Sequence, residues 1–158
     1  MKNVNIVVNK ANVYNEVAKT SSYTGAKMKD DETAYERIFT TDDDRLLLER
    51  FWTECCSMAT DNLKRFIVDV SDNSIPHGID LSKNYSVQLE LSSSFDTSLS
   101  DSISSSLFSF FVSAIISKWY MFANKGEAEV FANEATYYMN DVMKKIYFKK
   151  KPTRIIPK

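Results

Sequence analysis

Apolar and polar residues alternate from Asn3 to Asn9, with Val4, Ile6 and Val8 on one side and Asn5, Val7 and Asn9 on the other, which predicts a short, half-buried strand. From Ala11 to Thr20 the period changes to a helical one, carried by Val13, Val17 and Ala18, and the run Thr20-Ser21-Ser22-Tyr23-Thr24-Gly25 is expected to end that helix. Ala26 to Thr41 is polar, with isolated Tyr35, Ile38 and Phe39, and reads as a connector with a helical turn between Glu32 and Arg37. The strongest pattern follows. Thr40-Thr41-Asp42-Asp43-Asp44 offers side-chain oxygens to the free N–H groups of a helix start, with a charge that suits the dipole. Beyond Leu47 and Leu48, the positions Phe51, Cys55, Met58, Ala59, Leu63, Phe66 and Ile67 recur three and four residues apart, predicting one long helix to about Val70.

Turn formers between Ser71 and Asn84, among them Asp72-Asn73-Ser74, Pro76, Gly78 and Asp80, predict a surface loop. Tyr85, Val87, Leu89 and Leu91 then alternate with polar residues as a second strand, whose natural partner is the N-terminal one. Ser92 to Ser106 is rich in serine, yet Leu99, Ile103, Leu107, Phe110 or Phe111, and Ala114 keep a helical period through it, with Ser94 or Asp96 as cap. That helix extends through Trp119 to about Asn124, and Lys125-Gly126 fits a left-handed glycine closing it. A last helix from Glu127 to Phe148 places Ala128, Phe131, Ala135, Tyr138, Val142 and Ile146 on one face. Its first turn holds Glu127 and Glu129 and its end Lys144 and Lys145, both favourable to the dipole. A charge at Phe110 or Phe131, on the inferred seam of this hairpin, is expected to unfold the chain.

The expected fold is therefore mainly α: a helical bundle with a long helix and a C-terminal helical hairpin, a small two-stranded β element and an extended C-terminal arm. Residues 1–148 form a single domain and residues 149–158, KKKPTRIIPK, the arm. The 158 residues, 44% hydrophobic, suffice for one core and exclude a disordered tail protein. Three Gly and three Pro argue against a many-stranded sandwich or barrel. A net charge of -1 leaves no global basic field for nucleic acid, so any such contact is local. The first ten residues lack the apolar run of a signal peptide, which points to synthesis and retention in the cytoplasm. The uncharged stretch Ser102 to Ser117 is shorter than the roughly 20 residues of a membrane span and reads as a core helix, so no membrane contact is expected.

Reactive chemistry is sparse. The one histidine, His77, lies in a Pro76-His77-Gly78 turn and reads as solvated. Cys55 and Cys56 are adjacent on a helix, where successive side chains diverge by about 100 degrees, so they read as small buried thiols, with neither a disulfide nor a metal site. Glycines at 25, 78 and 126 cannot cradle a phosphate, the acidic run Asp42 to Asp44 is a cap, and no GxSxG elbow exists. No enzyme activity and no cofactor are expected. The aromatic residues Trp119, Tyr120, Phe122, Tyr137, Tyr138, Tyr147 and Phe148 could present a binding face, but core packing between the last two helices is the expected arrangement.

One feature resists a purely structural reading. Between Lys144 and Lys158 every charged residue is basic, and Ile155-Ile156 is an apolar pair between two prolines in an extended polar segment. A disordered tail seldom keeps such a pair. Lys149, Lys150, Lys151, Arg154, Ile155 and Ile156 are therefore candidate partner-binding residues: the isoleucines enter a neighbour's groove or add to its sheet edge, and the cations meet an acidic surface or phosphate.

The long helix after its acidic cap, DRLLLERFWTECCSMATDNLKRFI, the polar loop, the hairpin SLFSFFVSAIISKWYMFANKGEAEVFANEATYYMNDVMKKIYF and the basic arm together resemble the head-to-tail connector proteins of tailed bacteriophages, nearest to the neck or tail ring proteins of crAss-like phages. The resemblance is one of pattern, element order and size over most of residues 40–158; the N-terminal strand and the serine-rich helix start depart from it. It implies a virion protein that assembles in about twelve copies into a ring beneath the portal, with arms gripping adjacent proteins and genomic DNA passing through. Its partners would be further copies of itself, the portal protein and other neck or tail ring proteins. The rival expectations are a monomeric helical-bundle adaptor or regulator of a host or phage protein, and a peripheral nucleic-acid binder using the basic terminus.

Overall fold

The computed structural model describes residues 1–28, 32–72, 80–152 and 154–156. The predicted turn around His77 lies outside the described residues, as do Thr153, Pro157 and Lys158 of the arm. The order of elements is β1 (Lys2–Val8), α1 (Lys10–Lys27), α2 (Ala34–Ile38), a 3₁₀ turn (Asp42–Asp44), α3 (Arg45–Leu63), β2 (Ile67–Val70), β3 (Tyr85–Leu91), a second 3₁₀ turn (Thr97–Leu99), α4 (Ser100–Ala123) and α5 (Lys125–Tyr147).

The alternation in β1 and β3 does what its period requires. Val4, Ile6 and Val8 are buried and lie opposite Leu89, Val87 and Tyr85, also buried, so the antiparallel register stacks apolar pairs on one face. The predicted strand pairing holds, but the sheet has a third strand. The predicted long helix stops at Leu63, and Ile67–Val70 pairs antiparallel with the other side of β3, giving the order β1-β3-β2. Two β-branched residues in succession, Ile67 and Val68, favour extended backbone, and the free edge of β3 supplies ladder partners that a helix would leave unused. Phe66 and Ile67 fell at helical spacing by coincidence, and the Glu90 N–H bond to the Phe66 carbonyl at 2.7 Å marks where the chain has already joined the sheet.

α1 is likewise longer than predicted, because the run expected to break it is held from outside. Ser21 returns its hydroxyl to the Ala18 carbonyl and accepts the Thr40 N–H at 3.2 Å. Gly25 lets α2 approach: a Cβ there would stand 2.7 Å from the Tyr35 Cα, so the residue serves close packing and does not terminate the helix. At the hairpin, Gly126 lies inside α5 without a positive φ, and the reversal falls to Asn124 at φ −156° and ψ 73°. Its N–H bonds the Tyr120 carbonyl and its carbonyl takes the Glu127 N–H, so a single residue joins the two helices. The predicted cap residues serve the 3₁₀ turns ahead of α3 and α4, whose own N-cap residues, Asp44 and Leu99, make no side-chain cap bond. Asp44 accepts the Thr41 N–H at 2.8 Å, and Asp96 accepts the Ser98 N–H at 3.1 Å, each opening the 3₁₀ turn that leads into its helix.

α4 is the axis of the molecule. It is long and apolar enough to cross a membrane by length and composition, but α5, α1, α3 and β1 pack around it. Phe111 joins the layers, with ring centroids 4.8 Å from Trp52 of α3 and 5.3 Å from Tyr85 of β3. The short α2 is pinned to the end of α4 by Trp119 Nε1 donating to the Ile38 carbonyl at 2.7 Å and Arg37 Nε to the Ala123 carbonyl at 3.1 Å.

Candidate interaction surface

α5 ends where Phe148 turns extended, and the arm then crosses the segment before α4. Lys149 bridges Phe95, and the Lys150 N–H donates to the Ser94 carbonyl at 3.2 Å. Phe95 is itself buried, and its carbonyl takes the Lys2 ammonium at 2.7 Å, so the root of the arm is fixed. Beyond it the arm is bare. Ile155 and Ile156 are 90% and 83% exposed, and among the described residues none of Lys149, Lys150, Lys151 and Arg154 makes a side-chain ion pair. Lys145, counted with the basic cluster in the sequence, is spent elsewhere: its ammonium lies 2.6 Å from Asp141 and 2.7 Å from the Ser106 hydroxyl. Those contacts hold the Asp141 carboxyl below its ordinary range, chiefly through the Lys145 bond and then the Ser106 hydroxyl, and lock α4 to α5.

The body beside the arm is grooved. α5 stands on α4 as a ridge, with an open furrow on each flank. The furrow toward α3 holds about 360 Å³ and has Phe110, Ala114, Ala135 and Met139 along it, with Lys118 at its side. The furrow toward α1 holds about 230 Å³, with Phe108, Val112 and Ile116 as floor. A third hollow of about 480 Å³ lies by β2, between Phe66, Ile67 and Tyr147, with Arg65, Glu90 and Lys149 as its charged residues. The aromatics expected between the last two helices divide: Trp119 and Tyr120 are buried, whereas Phe122, Tyr137, Tyr147 and Phe148 face solvent, because the first three fall on the sides of α4 and α5 turned away from the seam and Phe148 lies past the end of α5.

The interior holds one polar device that the sequence reading missed. Lys10 at the start of α1 is buried and pairs with buried Glu49 of α3 at 2.7 Å. Tyr14 donates its hydroxyl to the other carboxylate oxygen at 2.8 Å, and Lys10 also donates to the Asp80 carbonyl at 3.1 Å. The ammonium lies 5.7 Å from the Trp52 ring centroid. Burial, and then the Glu49 bond, push the Tyr14 hydroxyl far above its ordinary range, so it stays a donor. A signal was present in the sequence: Lys10 shares the face of Val13, Tyr14 and Val17, and Glu49 that of Trp52 and Cys56, so each apolar face carries one charge of opposite sign. With Lys10, Glu49 and Tyr14 buried and bonded to one another, the cluster fastens α1 to α3.

Burial raises both thiols, Cys55 up to about 12 and Cys56 also upward, which makes them inert. No group of three or more metal-ligating side chains occurs among the described residues. By its fold the chain is a mainly helical protein with a small three-stranded antiparallel sheet. It matches no family model, no curated protein and no solved structure.

Proposed function

We propose that the protein is a structural virion component, a ring subunit in the neck of a tailed phage that joins portal to tail around the DNA passage. The observation that carries this reading is the arm: a fixed root at Phe95 and Ser94, followed by cations with no ion pair among the described residues and two bare isoleucines. Covering each isoleucine on a neighbour contributes about 1.5–3 kcal/mol, so the exposed pair favours a bound state. A ring subunit needs a rigid body, lateral surfaces that meet head to tail and close, and arms that cross to neighbours; it needs no reaction centre. Repeated around about twelve subunits, modest contacts become tight by multivalency. A net charge of -1 suits a wall past which DNA moves without sticking.

Removing residues 149–158 tests the reading. As a ring subunit, the truncated chain keeps its cooperative thermal transition but loses higher-order assembly in sedimentation velocity. Steeply salt-dependent DNA binding that disappears with the arm would point instead to a nucleic-acid binder. A full-length chain that stays monomeric and pairs with one unrelated protein would make it an adaptor or regulator.

A further inference from the structure

We infer that the furrow between α1 and α5 is the receptor for the arm of a second copy of this chain, a step that rests on the ring-subunit reading. Four hollows among the described residues can be compared, and charge separates them: the one beside Phe148, of about 490 Å³, has Lys144 as its charged lining residue and repels a basic arm. The hollow by β2 carries Arg65 and Lys149 against Glu90 and so repels a basic arm. The furrow toward α3 has Lys118 as its charged lining residue, already held by Glu54 at 2.9 Å. The furrow toward α1 is different: Glu16 on one wall and Glu134 on the other are its charged lining residues, and both are carboxylates. Glu134 is exposed and takes a bond from the Ser113 hydroxyl at 3.4 Å, while among the described residues Glu16 pairs with the exposed Lys19 at 3.8 Å. Between these acids lie Phe108 and Phe131, half-buried, over the buried Val112 and Ile116.

The arm carries the matching pattern in a short space, two cations at Lys151 and Arg154 ahead of the apolar pair Ile155-Ile156. The isoleucines cover Phe108, Val112 and Phe131, and the cations meet Glu134 and Glu16 at the rim, where charge sets register and specificity more than affinity.

The donor is another copy because the chain's own arm does not enter its furrow: the root is tied at Lys150 to Ser94, and Ile155 and Ile156 stand 90% and 83% exposed. An arm given by one copy and a furrow offered by the next are different surfaces, a head-to-tail contact of the kind that repeats into a ring.

Cysteine pairing between two variants of the full chain tests this. Ile156→Cys and Ser109→Cys are mixed and oxidised; the native thiols are buried and do not interfere. The expected result is a covalent dimer from the mixture, absent when Ser57→Cys on the exposed side of α3 replaces Ser109→Cys. Glu16→Lys with Glu134→Lys weakens self-association roughly tenfold with the fold intact, and Lys151→Glu with Arg154→Glu in the same chain restores it. Normal self-association without the 109–156 link overturns this assignment while leaving the ring reading in place. In a chain that carries both substitutions, the same link formed within the single chain overturns it as well. A chain that remains monomeric in every variant overturns the ring reading and this assignment together.

Discussion

At the scale of single residues, the Lys10–Glu49 pair makes the sharpest stability prediction. Lys10→Met strands a buried carboxylate whose remaining partner is the Tyr14 hydroxyl, and breaking such a pair costs about 3–5 kcal/mol. The shift in the denaturation midpoint should show it, and Lys10→Met with Glu49→Leu should recover a large part. The thiols give a second test. With Cys55 at about 12 and Cys56 also raised, a disulfide reagent at pH 8 should titrate neither in the native protein and both after denaturation. The Asp141–Lys145 pair gives a pH dependence. Asp141 is lowered in the folded state, so its contribution is fully present above the unfolded value of about 3.9 and is lost as pH falls through the folded value. Asp141→Asn should therefore lower stability at pH 7, by less than about 1 kcal/mol at this half-buried site, and change little at pH 2.

At the scale of elements, what was legible in the sequence was what one period and one cap specify. β1 and β3 followed from strict alternation, and α3 and α5 from stripes bounded by charges. The errors at β2 and α1 share a cause, since each of those boundaries was settled by a neighbour distant in sequence, whereas the hairpin reversal fell locally to Asn124 and not to Gly126. Ile67–Val70 became a strand because β3 offered an edge, and α1 ran past Ser21 because Thr40 and Tyr35 lay alongside it. Gly25→Ala probes this directly. Helix propensity alone predicts a gain of about 0.5–1 kcal/mol, but the added Cβ meets backbone 2.7 Å away, and overpacking of about 1–3 kcal/mol should prevail. The hairpin seam divides in the same way. Phe110 is buried, and Phe110→Asp should abolish the native thermal transition, as the sequence led one to expect. Phe131 is only half-buried on the rim of a furrow, so Phe131→Asp should keep the fold and weaken self-association.

At the scale of the whole molecule, the arm and the surface proposed to receive it were unequally visible. Lys149 to Ile156 stood out by composition, because a run of cations around an apolar pair is local information. The furrow was hidden, because Glu16 meets Phe108 and Glu134 only when α1 is laid beside α5 on α4. Nothing in the spacing of residues more than 90 positions apart announces that meeting. The central claim is that the chain acts by closing into a ring of copies, and electron microscopy of the purified full-length protein over rising concentration tests it most directly. The account predicts closed rings of uniform copy number; isolated subunits or open chains at every concentration would contradict it.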